Sequence, residues 1–214
     1  MGVEYTAQII KILKKKYPDA KIALNFGNLF QLLVAVVLSA QCTDVRVNKI
    51  TPALFRRFPD VRAFSMAKIG DLEKMIYSTG FYKNKAKNIK AAAEKIVKDF
   101  GEKLPDNMKN LLSLPGIARK SANVILETGF GKVEGITVDT HVCRVSGMLG
   151  LVDKKLSKSK NALKIEQILM EKVPRVDWGI FPHLLIFHGR QICVARRPKC
   201  EICPLNKICP SASA

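Results

Sequence analysis

Apolar residues recur along most of the chain at the spacing of an α-helix. Leu72, Met75 and Ile76, for example, fall on one face of a helix. Alternation typical of β-strands is nearly absent, and glycine or proline separates segments of helical length. Other segments with a helical apolar face contain Ile9, Ile10, Ile12 and Leu13; Ile89, Ala93, Ile96 and Val97; and Ile165, Ile168 and Leu169. The pattern predicts an all-α protein with about nine or ten helices.

The longest apolar run is "LLVAVVLSA", from Leu32 to Ala40. It is much shorter than the roughly 20 residues that span a bilayer, so it predicts a buried helix and no membrane partner. The first residues lack the apolar core of a secretory signal. We therefore expect an intracellular protein, either cytoplasmic or nucleoid-associated.

Charge indicates the partner. Lys and Arg number 36 against 18 Asp and Glu, which gives a formal net charge of +18. This excess is larger than solubility requires and has the sign that attracts polyanions, so nucleic acid is the predicted partner. For a single cluster such as Lys14 to Lys16, a solvated helix face is the simpler interpretation.

Four cysteines lie close together near the end of the sequence, in the pattern C-x6-C-x2-C-x5-C. They are Cys193, Cys200, Cys203 and Cys209. Pro198, Pro204 and Pro210 interrupt the segment, so a metal centre is expected to hold it together. Four cysteines suit either a structural zinc ion or an iron-sulfur cluster, and the spacing does not separate the two. The isolated Cys42 and Cys143 are expected to be small core residues.

Between the first two cysteines of the group runs the basic segment "VARRPK". A metal would fix the shape of this loop, so Arg196, Arg197 and Lys199 are predicted to bind phosphate with a small loss of entropy. The alternative is a solvated loop without a partner.

The stretch "LPGIARKSANVIL", from Leu114 to Leu126, predicts a tight turn followed by a helix, and an apolar helical segment precedes it. Residues 107–130 thus form a helix, a turn and a second helix. Gly116 suits close approach of the backbone to another molecule, and free amides at a helix N-terminus bind phosphate. Such hairpins also serve only for packing. Lys120 is unusual, because the helix dipole disfavours a cation in the first turn.

Several segments together resemble one family. They are "LPGIARKSANVIL", "VDTHVCRV", "LLVAVVLSAQCTDVRVN", "STGFYKNKAKNI" and the four-cysteine pattern. Over nearly the whole chain, these segments resemble the endonuclease III family of helix-hairpin-helix DNA glycosylases. The resemblance implies one 4Fe-4S cluster on the four cysteines. We expect two helical lobes around a cleft, with residues 21–132 in one and residues 1–20 plus 133–214 in the other.

The resemblance also implies two catalytic residues. Lys120 would attack C1′ of the damaged nucleotide, expel the base and form a Schiff base. A lysine of ordinary pKa, about 10.4, is almost fully protonated at neutral pH, so we expect the amine to lie in a desolvated crevice. Asp139 would stabilise positive charge on the sugar or accept a proton. Its simpler role is to cap the helix predicted from Thr140 to Leu149, and both roles are compatible. Without the resemblance, Lys120 would be interpreted as a surface lysine.

DNA contacts follow from the same resemblance. Gln41 would fill the gap left by the extruded nucleotide, and Phe81 would be an apolar wedge between base pairs. Lys83, Lys85 and Lys87 would meet phosphates. Many family hairpins have a second glycine where this chain has Ala118; we expect an ordinary φ there, so that alanine costs little. The remaining predicted DNA-binding residues of the hairpin are Leu114, Gly116 and Arg119.

These observations predict a monomeric, bifunctional DNA glycosylase and lyase of base excision repair. Its substrate would be duplex DNA containing oxidised pyrimidines or abasic sites. A related glycosylase for mismatched thymine, uracil or oxidised guanine is one alternative. Adenine-specific members of the superfamily typically have a serine at the lysine position, so Lys120 favours a bifunctional glycosylase with lyase activity. A non-catalytic, metal-stabilised DNA-binding module and an electron carrier are the others.

Overall fold

The structure is a computed structural model that describes residues 2–212. This part of the chain is helical and contains no β-strand, so the all-α prediction is confirmed. None of its helices has the length and apolar character needed to cross a bilayer. The helices are α1 Val3–Lys16, α2 Leu29–Ser39, α3 Asp44–Arg57, α4 Val61–Met66, α5 Ile69–Ile76, α6 Tyr82–Phe100, α7 Met108–Leu112, α8 Arg119–Phe130, α9 Thr140–Met148, α10 Lys154–Ser159, α11 Ala162–Lys172 and α12 Ile180–Gln191, with 3-10 turns at Tyr77–Thr79, Arg175–Asp177 and Cys200–Ile202.

The helices belong to two compact units. The central unit is Ala23–Glu134 and contains α2 to α8. The terminal unit combines Met1–Ile22 with Gly135–Ala214 and contains α1 and α9 to α12. Two catalytic candidates are divided between them, with Lys120 in the central unit and Asp139 in the terminal unit.

The core of the central unit is built around α2. All residues from Leu32 to Leu38 are buried, together with Phe30, which confirms the buried helix predicted from the apolar run. The faces of α2 pack against α3, α6 and α8. Because it is covered on several sides, α2 is apolar around its whole circumference.

In the terminal unit, α9 packs against α10 and α12, while α1 packs against α11 and α12. The Tyr5 hydroxyl lies 3.1 Å from the carbonyl oxygen of Leu149 and 3.0 Å from that of Ile208. An ion pair of 2.5 Å joins Lys14 to Asp177. The contact with Ile208 connects α1 to the segment that carries the four cysteines.

Side-chain caps determine where many of the helices begin. In each of seven helices the residue before the first turn accepts a hydrogen bond from a backbone N–H of that turn, which satisfies an otherwise unpaired donor. These caps are Asn28, Thr43, Asp60, Asn107, Asp139, Asp153 and Asn161. Helix α8 has no side-chain cap, because Ala118 precedes it, and α1, α5, α6 and α12 also begin without one.

Candidate active site and cysteine cluster

A tight turn joins α7 and α8 into the predicted hairpin. The Ile117 N–H donates to the Leu114 carbonyl at 3.2 Å, and Gly116 between them has a φ of 80°. Proline at the second position and a positive φ at the third are the features of a type II turn. The Pro-Gly pair of the sequence therefore sets the direction in which α8 leaves the turn.

Gly116 is also required by packing within the central unit. A Cβ at this position would lie 2.8 Å from the Cβ of Asn88 on α6, closer than two carbon atoms can approach. Only glycine allows both the positive φ and this proximity. The Gly116 backbone is itself exposed, so the turn presents its peptide groups to solvent.

Ala118 has a φ of −96° and a ψ of 169°. This is extended backbone that any residue adopts, which confirms the prediction that alanine fits in place of a second glycine. Arg119 begins α8 and is partly exposed. The prediction that Leu114 contacts DNA stays a prediction and would involve its backbone, because the residue is only 2% exposed. Its side chain anchors the turn in the core of the central unit.

Lys120 is the second residue of α8 and is exposed. The predicted desolvated crevice is therefore wrong for the protein without DNA. A first-turn residue points away from the body of its helix, and a long lysine side chain reaches water easily from there. Any removal of water from this amine must come from a bound partner.

Asp139 caps α9, as predicted. Its Oδ1 accepts a hydrogen bond of 2.8 Å from the Val142 N–H, and its side chain is partly exposed. Capping fixes the direction of the carboxylate. Because a carboxylate has a second oxygen with its own lone pairs, capping and reaction chemistry are compatible in one residue.

Gln41 and Phe81 are two of the three exposed residues of the central unit, other than glycine, that adopt left-handed backbone conformations; the third is Glu102. Gln41 follows α2 with a φ of 53°, and Phe81 precedes α6 with a φ of 49° and a side chain that is 63% exposed. Both side chains are thus available to a partner. An exposed aromatic residue in a strained conformation is a feature that functional sites share.

The lysines near Phe81 divide into two kinds. Lys83 and Lys87 are exposed, as a phosphate-binding role requires. Lys85 is only 5% exposed, and its ammonium donates to the carbonyls of Leu38 and Thr79, so the predicted phosphate contact is wrong for this residue. A sequence signal for this burial exists, because Lys85 lies four residues before Ile89, on the buried stripe of α6.

The four clustered cysteines line one cavity of the terminal unit, with about 400 Å³ of empty space including its mouth. All four are free thiols. Burial raises the pKa of the Cys193 thiol, and the charge of Arg144 opposes this rise. The other three cysteines of the group raise the pKa further, as expected for thiols that line the same cavity. Within residues 2–212 no three His, Cys, Asp or Glu side chains converge on the position of one metal ion.

Four thiols that line one cavity are compatible with an iron-sulfur cluster. A structural zinc ion needs four ligands at about 2.0–2.3 Å from a single point, whereas a 4Fe-4S cluster takes one thiolate at each of four separate irons. When bound, the cluster would contribute folding free energy to a segment that has little regular structure.

Side chains outside the four cysteines hold the cavity wall, and the sequence did not identify them. The Arg144 guanidinium donates to the Cys193 carbonyl and lies 3.8 Å from its Sγ. Nε2 of His188 lies 3.6 Å from the Cys203 Sγ, and Nδ1 lies 3.2 Å from the Tyr17 hydroxyl. Burial, followed by the charge of Arg144, lowers the pKa of His188 to about 4.

The basic loop between Cys193 and Cys200 presents Arg196, Arg197 and Lys199 to solvent. Its ends are held together, because the Lys199 N–H donates to the Ile192 carbonyl at 3.0 Å. The loop is therefore closed and cationic, and phosphate binding by its three basic residues stays a prediction.

Comparison with known proteins agrees with these features. Endonuclease III of Synechocystis sp. is 50% identical over 97% of this chain and 92% of its own length. A solved non-covalent complex of endonuclease III with DNA superposes with a TM-score of 0.91 at 38% identity, covering 99% of this chain and 97% of that one. A trapped covalent intermediate of endonuclease III with DNA gives the same values.

Two family assignments cover complementary parts of the chain. Residues 34–175 match the HhH-GPD superfamily of base excision DNA repair proteins. Residues 193–209 match the iron-sulfur binding domain of endonuclease III and include all four clustered cysteines, so the cluster is of the 4Fe-4S type found in this family. The chain belongs to the HhH-GPD superfamily of base excision DNA repair proteins and, within it, to the endonuclease III family.

Proposed function

We propose that this protein excises oxidised or ring-fragmented pyrimidines from duplex DNA and then cuts the strand 3′ to the abasic site. The observation that carries the proposal is the exposed Lys120 amine on the first turn of α8, beside an exposed hairpin turn. Membership of a base excision repair family and the covalent DNA intermediate of a relative support it. An amine is the side-chain group that forms a Schiff base with a sugar carbon.

The proposed reaction has two stages. The neutral Lys120 amine attacks C1′, a nitrogen-carbon bond forms, and the base leaves with the electrons of the glycosidic bond and takes up a proton. Opening of the sugar ring then gives a protonated Schiff base. Loss of a proton from C2′ expels the 3′ phosphate and cuts the strand.

Asp139 is proposed to serve the same nucleotide. Departure of the base builds positive charge on the sugar, which a nearby carboxylate stabilises, and a carboxylate can also accept the proton that the lysine loses. Its fixed direction as the cap of α9 suits this role. Because Lys120 and Asp139 belong to different units, the proposal requires the DNA to engage both units.

The reaction also requires the nucleotide to leave the base stack, which costs a few kcal/mol. We assign Gln41 to the gap opposite the extruded nucleotide and Phe81 to the adjacent base step, because both are exposed. Three parts of the protein are assigned to backbone phosphates. They are the backbone of the hairpin turn, the first turn of α8, which has no side-chain cap, and the loop carrying Arg196, Arg197 and Lys199.

The proposal includes the physiological setting. The substrate is double-stranded DNA that contains damaged bases or abasic sites, and the protein works inside the cell as a monomer, in the cytoplasm or at the nucleoid. The cluster stabilises the terminal unit and shapes the basic loop, and no step of the reaction passes through it.

Borohydride trapping tests the lysine assignment. Borohydride reduces a Schiff base to a stable amine, so the protein should become covalently attached to a duplex that contains an abasic site. Lys120→Ala should bind this duplex without forming the adduct or the nick. Lys109→Ala removes an exposed lysine from α7 and should leave both products unchanged. An adduct that persists in Lys120→Ala would contradict the assignment.

A panel of duplexes tests the choice of lesion. We expect removal of thymine glycol to be faster than removal of mismatched thymine, uracil or oxidised guanine. Preferential attack on one of those bases would move the protein to another substrate class of the superfamily while leaving the lysine chemistry intact. Binding without any cleavage would indicate a non-catalytic module.

A further inference from the structure

Lys85 is a buried lysine whose position no catalytic or phosphate-binding role explains. It lies near the start of α6 and is 5% exposed, beside the buried Ala86 and Ile89. A buried ammonium is costly unless several hydrogen bonds replace its water. The groups that it contacts are therefore informative.

The ammonium connects the ends of two other helices. Its Nζ donates to the Leu38 carbonyl, at the end of α2, at 2.8 Å and to the Thr79 carbonyl, at the end of Tyr77–Thr79, at 2.9 Å. Carbonyls at helix C-termini lack partners within the helix and carry partial negative charge, so they suit a cation. Burial lowers the pKa of Lys85, and the nearby Cys42 thiol acts in the opposite direction.

Each carbonyl stands just before a residue with strained backbone. Gln41 is three residues after Leu38, and Phe81 is two residues after Thr79. Of the residues that the structure describes, four other than glycine have a positive φ, and Gln41 and Phe81 are two of them. A left-handed conformation persists in such residues only where the surrounding structure holds it in place.

We propose that Lys85 is a positioning residue that fixes the spacing and backbone conformation of the two segments that enter the DNA duplex. The inference rests on the proposed function, in which Gln41 and Phe81 occupy the space around the extruded nucleotide. The ammonium holds together the helix ends from which the two segments start. Both side chains are thereby pre-organised before DNA binds, which reduces the entropy lost on insertion.

The variant Lys85→Met tests this role. Methionine fills a similar volume and suits a buried site, but it cannot donate to either carbonyl. Lys90→Met is the matched control. Lys90 lies on the same helix and donates to a backbone carbonyl, that of Ser65 at 2.6 Å, but Ser65 lies in α4, away from both inserted segments.

The first readout compares two DNA substrates. Trapping on an abasic site in duplex DNA requires insertion, whereas trapping in a single strand does not. Lys85→Met should lower the ratio of the duplex rate to the single-strand rate by about tenfold or more, since small misplacements of positioning groups have effects of this size. Lys90→Met should keep the ratio of the unchanged protein. A purely structural role of Lys85 would lower both rates together and leave the ratio unchanged, which would overturn the inference.

The second readout does not depend on DNA. The amides of Ala40, Cys42 and Gly80 each donate to a backbone carbonyl in the two segments, at 3.4, 3.1 and 3.4 Å. Hydrogen exchange at these amides should accelerate in Lys85→Met and stay unchanged in Lys90→Met, which should instead affect the Ala67 amide beside α4. Unchanged exchange in Lys85→Met would overturn the inference.

The two readouts separate this inference from the proposed function. If the unaltered protein forms no adduct on either substrate, the lysine chemistry fails, and the exchange measurement still decides whether Lys85 holds the two segments. If Lys85→Met does not fold, Lys85→Gln takes its place in both readouts. Its amide keeps a donor without the charge, and a smaller change in the same direction is expected.

Discussion

At the scale of single residues, Asp139 combines a structural task with a proposed chemical one. Its Oδ1 accepts the hydrogen bond that begins α9, and this contact sets the direction of the whole carboxylate. Conventional substitution by alanine would remove both tasks at once. A substitution that preserves the cap while removing the charge separates them.

Asp139→Asn is that substitution. Asparagine caps helices about as well as aspartate, so the free energy of unfolding should stay close to that of the unaltered protein. The strand-cutting rate should fall by about 100-fold or more, the size of effect typical of acid-base groups. Asp139→Ala should lose the same activity and also about 1 kcal/mol of stability. Denaturant unfolding and single-turnover nicking measure the two effects, and full activity in Asp139→Asn would exclude a chemical role for the carboxylate.

At the scale of secondary-structure elements, the start of α8 differs from the starts of its neighbours. Asn107 caps α7, the first helix of the hairpin, whereas Ala118 supplies no side-chain cap to α8. The backbone of Ala118 is extended, as in a capped helix, so the difference lies in the side chain alone. Uncapped amides at a helix N-terminus bind anions, and the proposed anion is a DNA phosphate.

Ala118→Asp makes this idea testable. The new carboxylate should cap α8 and raise the free energy of unfolding by about 1 kcal/mol. It should also weaken DNA binding, because it occupies the same amides and repels phosphate. Ala118→Gly provides neither a cap nor a charge and should bind DNA like the unaltered protein. A stabilised Ala118→Asp variant with unchanged affinity would show that the α8 N-terminus does not meet phosphate.

The helices and turns also show how much of the fold can be predicted from the sequence alone. The buried helix α2, the hairpin turn and the α9 cap are local features, because apolar spacing, a Pro-Gly pair and an Asp before a helix each have a direct physical meaning. The apolar spacing does not identify short helices such as α4, because six residues span too few turns to show a helical period. More than the nine or ten expected helices are therefore present in the described part of the chain.

Features that depend on tertiary contacts could not be derived in this way. Lys85 is predicted to meet phosphate because a lysine is usually exposed. Its spacing to Ile89 indicates burial, but the two carbonyls that its ammonium contacts are determined by tertiary packing. The desolvated crevice predicted for Lys120 follows from the chemistry of a nucleophilic amine, which describes the reacting complex, whereas the structure without DNA exposes this residue. Arg144 reaches the cysteine cavity from α9, which is far from the cysteines in sequence, whereas His188 reaches it from α12, which ends just before Cys193.

At the scale of the whole molecule, the formal net charge of +18 has two separable consequences for a glycosylase with lyase activity. The total charge attracts DNA from a distance, wherever on the surface the charged residues lie. Only cations that touch phosphates release condensed counterions and so set the salt dependence of the affinity. The position of the charge, more than its amount, therefore decides which lysines and arginines belong to the interface.

Two variants of equal charge distinguish these effects. One replaces Arg196, Arg197 and Lys199 of the basic loop with alanine, and the other replaces Lys154, Lys155 and Lys158 of α10, which are also exposed and belong to the same unit. Each variant lowers the formal net charge of +18 by three. If the loop binds phosphates, its variant should reduce the slope of log affinity against log salt by about 0.9 for each phosphate that is no longer neutralised, and the α10 variant should leave that slope unchanged. Equal slopes for both variants would mean that the loop contributes only to long-range attraction, and that the cluster shapes it for some purpose other than gripping the DNA backbone.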